Sequence, residues 1–258
     1  MKKILFLFAF ISFVPFLTIS CACKKKNEEK TKVAVEKIET FTFSSNTTTL
    51  KGKIFLPKSY ETNKNLPAIY LIDYTEQHFK IATDEFEKVI DGVRKIEGFD
   101  ALVISLENIP NIDATPETFQ NQYEVFENLS FYVDNKYTNN SSKTFIGRGS
   151  EASIVLMSLF LENSVFENFI ATDPSPKFIT AFENILKKND LATLEQNRKL
   201  HFSFSPANGC RKCSELNMMI SKLKYPWLQT EVIEYTDSNY ENTYPISFAA
   251  GIKYIFEK

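Results

Sequence analysis

Gly147-Arg148-Gly149-Ser150-Glu151-Ala152 lies between a short apolar run, Thr144-Phe145-Ile146, and a helix-like run that starts near Ile154. That order predicts a strand that turns sharply into a helix. The turn itself is polar, with Arg148, Ser150 and Glu151 side by side, so it is the first place to look for chemistry.

Outward from the turn, strand and helix signals alternate. Ala68 to Asp73 and Ala101 to Leu106 are nearly continuous apolar runs, the pattern of parallel strands covered on both faces. Between them Phe86, Val89, Ile90, Val93 and Ile96 recur at helical spacing. Thr144 to Ile146, Phe169 to Thr172, Lys199 to Ser205 and Thr230 to Tyr235 supply further strands. An antiparallel hairpin opens the domain, Phe41 to Ser44 and Leu50 to Leu56, joined through Ser45-Asn46-Thr47. Repeated βα units predict an α/β fold, a three-layer αβα sandwich around a mostly parallel sheet. Ligands of such sheets bind at the carboxyl ends of the strands, so the loops beginning at Tyr74, Gly147, Asp173, Ser205 and Thr236 should share one cleft.

The chain has 258 residues, 43% hydrophobic and 24% charged, a balance that fits one globular domain plus a short leader. A net charge of -2 offers no broad basic surface, so no nucleic-acid partner is expected. Lys2 and Lys3 precede an apolar core, Ile4 to Ile19, and then Ser20-Cys21-Ala22-Cys23, which reads as an export signal. A cysteine directly after small residues resembles a bacterial lipoprotein signal, with Cys21 favoured over Cys23 as the lipidated residue. The expected domains are therefore a leader over residues 1–22, a charged tether over 23–38 and one folded domain over 39–258. An uncleaved anchor is the alternative, although the apolar stretch falls short of the roughly 20 residues that span a bilayer. Both readings put the domain outside the cytoplasm, held to a membrane at its N-terminus.

Five segments, in the same order along the chain, resemble an esterase family of the α/β-hydrolases, the group that includes esterase D and the siderophore esterases. They are Leu56-Pro57-Lys58-Ser59-Tyr60 with Leu66 to Asp73, the Asp113-Ala114-Thr115-Pro116 loop, Asn128 to Tyr137, Ala171 to Ser175, and the closing run Gly251 to Phe256. The resemblance implies an α/β-hydrolase fold with a serine nucleophile at the strand-to-helix turn. There the family's GHSxGG motif reads Gly147 to Ala152, which puts Gly149 in the serine position. The family's oxyanion-loop glycine falls at Tyr74, its acid near Asn208 and its histidine at Tyr240 or Glu241.

A serine hydroxyl needs a base, and the base needs an orienting acid. Gly149 cannot attack, and tyrosine, with an ordinary pKa of about 10, is a very weak base near neutrality. A displaced nucleophile, Ser150, would need one of the chain's two histidines. His78 belongs to a cleft loop, whereas His201 lies inside a strand and reads as a structural residue. The cleft candidates are thus Tyr74, His78, Arg148, Ser150, Glu151, Asp173, Asn208 and Tyr240, set either as a ligand pocket or as a solvated surface on which Arg148 and Glu151 pair.

Cys210-Arg211-Lys212-Cys213 follows the strand from Lys199 and precedes a predicted helix, Ser214 to Leu223, with Ser214 as its N-cap. In an oxidising compartment so close a pair reads as a loop disulfide. Strand, C-x-x-C, helix is also the order of a thiol-disulfide active site. Zinc would require two further soft donors, so neither metal nor cofactor is expected. These features together predict an exported, lipid-anchored binding or accessory module that acts on a small molecule or an exported protein partner. A divergent carboxylic-ester hydrolase using Ser150 and His78, and a C-x-x-C redox protein, are the alternatives.

Overall fold

A computed structural model describes residues 35–45, 48–72, 84–107, 118–188, 194–206 and 211–257. Tyr74, His78, Asn208, Cys210, Cys21, Cys23 and the Asp113 to Pro116 loop lie outside that set, as does the leader. The described chain opens with a hairpin, β1 (Lys37–Ser45) and β2 (Thr48–Leu56), paired antiparallel so that Phe43 lies opposite Leu50. Next come β3 (Ala68–Leu71), α1 (Glu85–Arg94), β4 (Leu102–Glu107), α2 (Phe119–Lys136), β5 (Lys143–Arg148) and α3 (Ser150–Leu159). The chain ends with β6 (Asn168–Thr172), α4 (Pro176–Lys188), β7 (Arg198–Phe204), α5 (Arg211–Leu223), β8 (Leu228–Glu234) and α6 (Tyr240–Phe256).

The eight strands make one sheet in the order β1-β2-β4-β3-β5-β6-β7-β8. The first two pairings are antiparallel and the rest are parallel, as the hairpin and the βα repeats predicted. Every residue of β3, β5 and β6 is buried, because helices cover both sides of these strands.

Side-chain alternation sorts the core into two layers. Tyr70, Leu102, Ile104, Phe145, Phe169, Phe202 and Phe204 face the side packed by α2, α3, α4 and α5. Ile69, Leu71, Val103, Ile146 and Ile170 face α1 and α6. The first layer is aromatic: the Phe145 and Phe166 rings stack 4.3 Å apart, and Tyr70 meets Phe166 edge-on at 5.4 Å.

Two helices start earlier than the sequence predicted: α3 at Ser150 instead of near Ile154, and α5. α5 begins at Arg211, which places Ser214 inside its first turn instead of at its cap. The apolar stripe explains this: Cys213, Leu216 and Ile220 are all buried, and presenting Cys213 to the core requires helix from before it.

α3 is held at its far end by a buried charge. The Arg198 guanidinium, 1% exposed, donates to the carbonyl oxygens of Leu159 and Glu162 and to the Gln196 side chain, with Trp227 5.7 Å away. Carbonyl oxygens at a helix C-terminus carry partial negative charge and supply the counter-charge.

Candidate functional site

The bend between β5 and α3 is a single residue. Gly149 has φ 62° and ψ −126°, a backbone state in which a residue with a Cβ is strained. Its N–H still completes the sheet, donating to the Thr172 carbonyl at 2.9 Å, and the next residue is already helical. The Gly149 carbonyl accepts from the Ser153 and Ser175 amides at 3.3 and 3.1 Å, and Ser153 Oγ in turn accepts from the Ser175 amide at 2.9 Å. These bonds fix the bend to the segment that follows β6.

The bonds also define the carboxyl edge of the sheet. Asp173, with φ 50°, ends β6; its amide donates to the Ser203 carbonyl, and its Oδ1 accepts from the Ser205 amide at 2.7 Å. Ser205 Oγ continues to the Ser238 carbonyl, just before α6. The loops after β5, β6, β7 and β8 therefore converge as the topology predicted. The loop after β3, with Tyr74 and His78, lies outside the described residues.

Arg148, Glu151 and Asp173 are buried, at 6%, 9% and 5% exposure, so these three are not part of a solvated surface. The ion pair of Arg148 is not with neighbouring Glu151. Its Nε meets Oε1 of Glu85, a fully buried carboxylate in the first turn of α1. The Arg148 guanidinium also lies 4.1 Å from the centre of the Tyr244 ring on α6. The Tyr244 hydroxyl donates to Asp84 Oδ1, and Asp84 Oδ2 pairs with Lys88 at 3.2 Å. Burial and the Asp84 carboxylate hold the Tyr244 hydroxyl well above its ordinary pKa, so it remains a protonated donor. The same hydrogen bond, aided by Lys88, lowers Asp84.

Sequence reasoning missed Glu85, Tyr244 and Asp84, although one signal was present. Glu85, Val89 and Val93 follow helical spacing, so a charged residue occupies the apolar stripe of α1. Ser150 opens α3 and is half-buried; Tyr240 opens α6, and its side chain is outside the described set. His201 is fully buried against α6, with Nδ1 2.8 Å from Glu231 Oε2, as a structural histidine should be. Among the described residues no group of His, Cys, Asp and Glu is arranged to hold a metal.

This combination of sheet order, crossovers and positive-φ bend defines the α/β-hydrolase fold. The chain is similar to an IroE-like serine hydrolase from Shewanella oneidensis, with a TM-score of 0.70 and 15% identity over 85% of this chain and 80% of that one. It is also similar to the siderophore hydrolase EstA of Aspergillus nidulans (TM-score 0.65, 13% identity, 84% and 93% covered). A third similar structure is the S-formylglutathione hydrolase FrmB of Staphylococcus aureus (TM-score 0.62, 13% identity, 86% and 97% covered). No sequence-family model and no curated protein matches the chain. Likeness at such identities carries the fold; the activity must be argued from the residues.

Proposed function

We propose that this chain is a hydrolase-fold protein that keeps the esterase scaffold without its acyl-transfer chemistry and works as a binding or accessory module. The observation that carries this reading is Gly149. The backbone at the bend has the strained geometry of a nucleophile elbow, yet the residue there has no side-chain atom to acylate. Arg148, Glu151 and Asp173 line the carboxyl edge around it, a buried polar setting suited to a small-molecule ligand or a segment of an exported partner. No cofactor or metal enters this reading.

In this proposal the leader exports the protein, Cys21 (or Cys23) carries the lipid, and a charged tether presents the domain outside the cytoplasm. Two or more acyl chains supply the affinity that stable anchoring needs. Cys210 and Cys213 form a disulfide that braces the loop after β7, a role supported by the full burial of Cys213. Loss of incorporated fatty acid on Cys21→Ala or Cys23→Ala would identify the anchor.

The decisive test is hydrolysis of activated short-chain acyl esters by the purified chain, with Ser150→Ala and His78→Ala assayed beside it. No turnover above background, together with ligand-dependent thermal stabilisation from a small-molecule panel, is the expected result. A ligand at a hundred times its Kd adds about 2.7 kcal/mol. Turnover that both substitutions abolish would replace this reading with a relocated Ser150 nucleophile.

A further inference from the structure

β7 meets α6 along a polar seam. Lys199, His201 and Ser203 alternate on the strand face that α6 covers, and each meets one residue of a single helix stripe. Lys199 Nζ donates to the Ile255 carbonyl at 3.0 Å, the His201 ring edge packs on Gly251, and Ser203 Oγ bonds Ser247 Oγ. Four helix residues advance about 6 Å and two strand residues about 6.6 Å, so the two rows stay in step over three contacts. Thr172 completes a ring of buried hydroxyls, its Oγ1 being 2.5 Å from Ser247 Oγ and 3.2 Å from Ser203 Oγ. Position 251 must be glycine, because a Cβ there would lie 2.7 Å from Ile170 Cγ2 and 2.9 Å from His201 Cδ2.

His201 is the weak member of this seam. Its Nδ1 reaches Glu231 on β8, its register partner, but Nε2 is buried with no hydrogen-bond partner among the described residues. A neutral ring with its proton on Nδ1 suits this setting. A second proton would place an N–H donor at Nε2 inside packed groups, with no acceptor. The titratable groups around the ring are Glu231 on β8, Tyr254 on α6 at 6.5 Å between rings and, farther along β7, Lys199; Tyr235 after β8 lies within the field of Glu231, and β6 presents apolar Ile170. Glu231 favours the cation, but burial opposes it more strongly and holds the imidazole below its ordinary value.

We propose that the β7–α6 seam is a proton-operated latch: protonation of His201 in mildly acidic surroundings loosens α6 and, with it, the Tyr244 ring that stacks on Arg148 beside Gly149. The sign follows from linkage. An ordinary histidine takes its proton near pH 6.5, and this one does so only at lower pH in the folded chain. As pH falls below about 6.5 the unfolded chain therefore binds the proton first, and stability present above that value is lost. The latch is independent of whether the cleft binds a ligand or hydrolyses one.

The test is the melting temperature of the full chain, with hydrogen exchange of α6 and of the β1–β2 hairpin, at about pH 7.5 and about pH 5, corrected for intrinsic exchange. The expected result is a melting temperature several degrees lower in acid and α6 exchange raised several-fold over the hairpin. His201→Gln should flatten this response. Glu231→Gln, which removes the group favouring the cation, should steepen it, and it decides the matter alone if His201→Gln does not fold. A His201→Gln profile parallel to the parent, an unchanged or flattened Glu231→Gln profile, or α6 exchange that moves with the hairpin would overturn the latch.

Discussion

The two faces of the sheet are both covered by helices and differ in what fills them. The face under α2, α3, α4 and α5 is an aromatic layer in which Phe126, Phe145, Phe166, Phe169, Phe178 and Phe202 have no exposed surface. The face under α1 and α6 carries apolar residues toward the hairpin, but toward β7 it carries Arg148, Thr172, His201 and Ser203, all buried. Dispersion and loss of water stabilise the aromatic rings of the first face without regard to direction, while Arg198 at the end of α3 is held there by directed bonds to carbonyl oxygens. On the second, the polar groups depend on directed partners, Glu85 for Arg148, Glu231 for His201 and neighbouring hydroxyls for Thr172 and Ser203, which makes that face costly to disturb and responsive to charge. The bend at Gly149 joins the two: the strand behind it delivers Phe145 to one side and Arg148 to the other.

Five variants would break or sharpen this contrast. The largest expected effect is on the aromatic side, where Phe166→Ala should cost roughly 3–5 kcal/mol by leaving a cavity between Tyr70 and Phe145, read from urea unfolding. Glu85→Ala should cost about 3 kcal/mol by breaking a buried ion pair, although it removes fewer atoms. The contrast is tested by the double variant Glu85→Leu with Arg148→Met, which should recover much of that loss; additive losses instead would show that the face depends on volume alone. Gly251→Ala should cost about 1–3 kcal/mol through the clash with Ile170 and His201, and circular dichroism during unfolding would report it. Ser247→Ala, the mildest, should cost about 1 kcal/mol as one member of the hydroxyl ring is lost.

Much of the fold was legible because the signals that fix it are local. Continuous apolar runs marked β3 to β6, and helical spacing marked α1. β7 was legible in a different way: Lys199-Leu200-His201-Phe202-Ser203-Phe204 alternates polar with apolar, and the structure shows that His201 and Ser203 of its polar side are buried under α6, with Lys199 half-buried at its end. A period of two tells which residues share a face, and it does not tell what covers that face. The start of α5 was misplaced for a related reason, since a capping hydroxyl at Ser214 weighed less than burying Cys213.

The sequence by itself determined the order of elements, the opening hairpin and the glycine at the bend, because each is written in residues that are neighbours along the chain. The partners of the buried polar groups were decided by the tertiary structure alone. Arg148 meets Glu85 and Tyr244, and His201 meets Glu231 and Gly251, across segments far apart in sequence. The crossover connections and the strand register bring those groups together, and within a buried layer a charge must pair with what the packing delivers to it, not with the residue beside it in the chain.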